Sequence, residues 1–66
     1  MKARIVREAM AEVAEQGYAQ TTLVDIGKRV GLSRPGILHH FPSKEALFRE
    51  VLEEVYRWGQ RQIDQH

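Results

Sequence analysis

Apolar positions along the chain recur at helical intervals, and no stretch alternates apolar and polar residues long enough to predict a strand. Ile5, Val6, Ala9, Met10 and Val13 fall on one face, and Gly17 follows as a left-handed residue to end this first helix. "TTLVD" announces the second. Thr22 can cap it, and Asp25, three residues on, can reach back as an acidic variant of the capping box. Leu23, Ile26, Gly27 and Val30 then share one face, with Lys28 and Arg29 on the other, and Gly31 closes the helix. At barely two turns it could not persist alone. A third helix begins after Ser33, a good N-cap. Ser43 opens a fourth after "FP", with an apolar stripe of Leu47, Phe48, Val51, Leu52, Val55, Trp58 and Ile63. That stripe is wider than a helix covering three small partners needs. The pattern predicts an all-α bundle with no strand, linker or repeat.

Helices two and three are joined by a very short turn, as a helix-turn-helix over about 22–41 requires. Gly27 supplies the tiny residue where the two helices cross, and Gly31 supplies a residue that tolerates positive φ. Ile37 and Phe41, four apart, anchor the third helix inward. Helical geometry then turns Pro35, Gly36, Leu38 and His39 outward, with Arg34 and His40 on the flanks. Pro35 falls in the first turn, where its missing N–H has no intrahelical partner to lose. Gly36 costs roughly 1 kcal/mol of helix propensity relative to alanine, so something should offset it.

A surface pressed against a nucleic-acid duplex is a coherent reason for such a face. Gly36 lets backbone approach closely, Pro35 and Leu38 offer apolar contact to thymine methyls, and His39 can bond a base edge or phosphate. Arg34 is the best candidate for bidentate guanine reading, or for phosphate contact. Thr22 at the start of helix two, and Ser43 with Lys44 at the start of helix four, are predicted anion sites as well as caps.

With 66 residues the chain is one small domain of modest stability. It has no cysteine, so neither disulfides nor thiolate metal sites brace it. No apolar run approaches signal-peptide or membrane-span length, and a soluble, cytoplasmic protein is the expectation. Net charge is +1, unevenly spread. Residues 1–24 balance, residues 25–44 carry an excess of three positive charges (Lys28, Arg29, Arg34 and Lys44 against Asp25), and residues 45–66 are net negative by two. The basic excess surrounds the predicted helix-turn-helix.

Other chemistries fit less well. His39 and His40 point about 100° apart on a helix and cannot share one metal ion, so no metal or other cofactor is expected. Ser33 with either histidine and a carboxylate has no spacing that supports nucleophilic catalysis, and capping accounts for Ser33 better. The chain is not expected to be an enzyme.

The stretch "RIVREAM…GYAQTTLVDIGKRVGLSRPGILHHFPSKEALF", Arg4 to Phe48, resembles the N-terminal DNA-binding domain of tetracycline-repressor-like (TetR family) transcriptional regulators. The matching pattern runs through Gly17-Tyr18, Thr21-Thr22, Ile26 with a small residue, Gly31-Leu32-Ser33, His40-Phe41, and Lys44 with Leu47. The resemblance implies a homeodomain-like three-helix core plus the start of a fourth helix from about residue 44. It further implies a bacterial, usually repressive, dimeric regulator whose third helix, at about 34–40, enters the major groove. Thr22, Ser33, Arg34, Pro35, Gly36, Leu38, His39, His40 and Lys44 match DNA-facing positions. Leu38 stands where the family very often has a tyrosine, and Gly36 where it often has threonine or serine, so neither carries a hydroxyl. The basic arm that often precedes helix one is nearly absent.

The resemblance also implies a larger C-terminal helical domain that makes the homodimer and binds a small-molecule effector, and that domain is not in these residues. Trp58 and Ile63 then read as surface meant for it. The competing class is a helical protein-interaction module acting through the apolar face of helix four.

Overall fold

In a computed structural model the backbone of residues 1–64 and the side chains of residues 1–60 are described; Ile63 and His66 fall outside the described side chains. Among the described residues all regular structure is helical: α1 (Lys2–Gln16), α2 (Leu23–Val30), α3 (Arg34–His40) and α4 (Lys44–Asp64). α1 packs on both α2 and α4, and α2 packs on α3. No helix is long and apolar enough to cross a membrane.

The helix starts follow from their caps. Thr22 Oγ1 accepts from the Asp25 N–H at 3.1 Å, Ser33 Oγ from Gly36 N–H at 3.3 Å, and Ser43 Oγ from Ala46 N–H at 3.1 Å. Each bond satisfies a backbone donor that has no partner within its own helix. Pro35 sits in the first turn of α3, where it removes no helical bond.

Two glycines make the α2–α3 turn possible. Gly31 is left-handed (φ 73, ψ 29), and the following Leu32 N–H donates back to the Gly27 carbonyl at 2.8 Å, a bond typical of such helix stops. A methyl group on Gly27 would lie 2.3 Å from the Leu32 carbonyl oxygen and 3.6 Å from Ile37 Cγ1. The backbone of the turn therefore demands glycine there more strongly than the crossing of α3 does. Gly17 departs from expectation. Its φ is positive (81), but its ψ of 156 lies outside the left-handed helical region, in a conformation that essentially excludes side chains.

The core gathers Ile5 and Ala9 of α1, Leu23, Ile26 and Val30 of α2, Ile37 of α3 with Phe41 just after it, and Leu47, Phe48 and Val51 of α4. Burying each larger side chain contributes about 1.5–3 kcal/mol, the main force closing the bundle. The α4 stripe splits in two. Leu47 is fully buried, whereas Leu52 is 70% exposed, Trp58 61% and Val55 46%.

Candidate nucleic-acid interface

α3 is seven residues long and held by one deep anchor, Ile37, with Phe41 closing its end. That leaves Arg34, Pro35 and His39 exposed, as is Ser33 before them. His40 is half-buried, and its ring meets that of His39 edge-on at 5.4 Å. Among the described residues no group of three or more histidines, cysteines or acids could hold a metal ion.

Two residues expected to face fully outward do not. Leu38 is half-buried because it packs against the edge of the core. Gly36 is also half-buried, and a methyl group there would meet Leu32 Cβ at 3.3 Å and Cδ2 at 3.4 Å. Gly36 thus has a local packing role, making room for the side chain of the preceding turn.

One open recess collects Thr22, Arg34, Leu38, Ser43 and Lys44, with Glu45 also lining it. The N-termini of α2 and α4 reach this same recess, and helix N-termini favour anions through free N–H groups and the helix dipole. Ser33, Pro35, Gly36, His39 and His40 do not line it. Lys44 is half-buried: its Nζ donates to the Tyr18 carbonyl at 2.9 Å and lies 4.3 Å from the centre of the Tyr18 ring.

The positive charge of the region is smaller than composition implies. Arg29, on the face of α2 away from its apolar stripe, donates to Glu8, Glu12 and Glu15 of α1. The hydrogen bond to Glu12 and the charges of Glu15 and Glu12 hold the guanidinium above its ordinary pKa, against an opposing effect of burial. Tyr18, Thr21 and Glu12 are the structural contributors that helical periodicity missed. The spacing of Glu8, Glu12 and Glu15 on one stripe of α1 was a usable signal, since like charges at that spacing call for a cation.

Residues 5–51, spanning α1 through the buried half of α4, match the family model for bacterial regulatory proteins, tetR family. The chain belongs to that family. This tetR-family chain is 33% identical over 58 residues to the biofilm operon icaADBC HTH-type negative transcriptional regulator IcaR of Staphylococcus epidermidis, covering 88% of the chain and 31% of that protein. The regulators of the same name from Staphylococcus aureus strains Newman and COL are each 36% identical over 53 residues, covering 80% of the chain and 28% of theirs. The chain therefore spans under a third of the length of these curated relatives. No solved structure matches it.

Proposed function

We propose that this tetR-family chain is the operator-binding part of a transcriptional repressor, with α3 in the major groove of double-stranded DNA. The observation that carries the reading is the recess where Arg34 and Lys44 meet the N-termini of α2 and α4, a geometry suited to a phosphate backbone beside a base-reading helix. Arg34 and His39 address bases or nearby phosphates; Pro35 presents an apolar edge; Thr22 and Lys44 hold the backbone. Ser33 and His40 flank the contact, while Gly36 and Leu38 shape α3 and come close to the duplex without bonding it. Repression is supported by relatives whose names describe negative transcriptional regulators.

The chain acts by binding, without catalysis or a cofactor, and in the cytoplasm. The family resemblance assigns homodimerisation and effector binding to a part of the protein outside these residues. A single copy of α3 reads one half-site, so the chain alone binds duplex in the range of about 10⁻⁴ to 10⁻⁶ M.

Titration of duplex DNA against the chain over a series of salt concentrations tests this. A steep fall in affinity with salt is expected from displaced counterions. Absence of DNA binding at low salt, with salt-insensitive self-association through Leu52, Val55 and Trp58, is the outcome that favours a protein-interaction module instead.

A further inference from the structure

Lys44 is the first residue of α4, so its ammonium sits at the positive end of that helix's dipole, the wrong end for a cation. It also ends a flexible four-carbon stem that loses much rotamer freedom when fixed. Both costs need an offset, and Tyr18 supplies it twice. The Tyr18 carbonyl accepts one ammonium hydrogen, and the electron-rich face of its ring lies 4.3 Å from Nζ. Tyr18 is in turn fixed from below. Its ring meets buried Phe48 edge-on at 5.0 Å. Its turn is closed by Thr21, whose hydroxyl donates to the Gly17 carbonyl at 2.8 Å.

We infer that Tyr18 is a positioning residue for DNA-backbone binding: it holds the Lys44 ammonium beside the recess with donors left over for a phosphate. An ammonium has three donors, and the Tyr18 carbonyl takes one. The core thereby reaches the phosphate site through three side chains in sequence, Phe48, Tyr18 and Lys44. The inference rests on the proposed role of Lys44 in holding the DNA backbone.

The test is a double-mutant cycle on the full chain, read as affinity for a mixed-sequence duplex across several salt concentrations. Lys44→Ala is expected to weaken binding and lower the salt slope by about one. Tyr18→Leu is expected to weaken binding about two- to five-fold. In the Lys44→Ala background Tyr18→Leu is expected to change nothing. Tyr18→Phe, which keeps the ring, restores near-parental affinity. Equal weakening by Tyr18→Leu in both backgrounds makes its role merely structural and overturns the inference alone. An ineffective Lys44→Ala overturns the phosphate role of Lys44 and the inference with it. Should Tyr18→Leu fail to fold, fluorinated phenylalanines at position 18 keep the shape while draining the ring face. Affinity falling with each added fluorine supports the inference, and constant affinity refutes it.

Discussion

The Arg29 guanidinium of α2 donates to the Glu12 carboxylate of α1 at 2.6 Å. The same group reaches Glu8 and Glu15, so one cation settles a stripe of three acids and ties the helix-turn-helix to the supporting helix. Glu12 is buried and Arg29 half-buried, which shields the pair from salt. Arg29→Ala is therefore expected to lower the thermal midpoint more than Arg57→Ala, which breaks a pair of exposed residues on α4 with Glu54. Thermal melts of the two variants at low and high salt check this. Because the Arg29 pKa is raised, its contribution is fully present at neutral pH and is lost as pH rises through that raised, strongly alkaline value.

Gly27 and Gly36 separate two reasons for a glycine in a helix. A methyl on Gly27 collides with the backbone carbonyl of Leu32, which cannot retreat without opening the turn. Gly27→Ala is expected to cost about 2–3 kcal/mol in urea unfolding. At Gly36 the same methyl presses on the Leu32 side chain, and the squeeze is offset by better helix propensity. Gly36→Ala is expected to stay within about 1 kcal/mol of the parent.

The division of the α4 stripe makes a sharp contrast between two leucines. Leu47→Ala empties a fully buried position and is expected to cost about 2–4 kcal/mol, much of the stability of a domain this size. Leu52→Ala, 70% exposed, is expected to change stability by no more than about 0.5 kcal/mol. Paired denaturation curves decide it; equal losses mean that the upper stripe is also core.

Helix order, the three side-chain caps and the Gly31 turn were legible in the sequence because each is set by residues within a few positions of one another. Ile37 and Phe41 were legible for the same reason. What was not legible spans the chain. Arg29 meets Glu12 from 17 residues away, and Lys44 meets Tyr18 from 26; the acidic stripe of α1 signals the need for a cation without naming Arg29, and nothing local marks Tyr18. The outward face of α3 was legible at Pro35 and His39, and Arg34, expected on its flank, is exposed as well. That face was overdrawn at Gly36, which lies against the Leu32 side chain of the preceding turn, and at Leu38, which packs at the edge of the core.

The division of labour between Arg34 and Lys44 tests the central claim most directly. Affinity should be measured for both alanine variants across a panel of duplexes that differ at single base pairs of a selected half-site. Arg34→Ala is expected to flatten base preference at one position by about 1–3 kcal/mol, and Lys44→Ala to weaken every duplex alike. Equal effects from the two substitutions across the panel, or none from either, would contradict a major-groove reader built on α3.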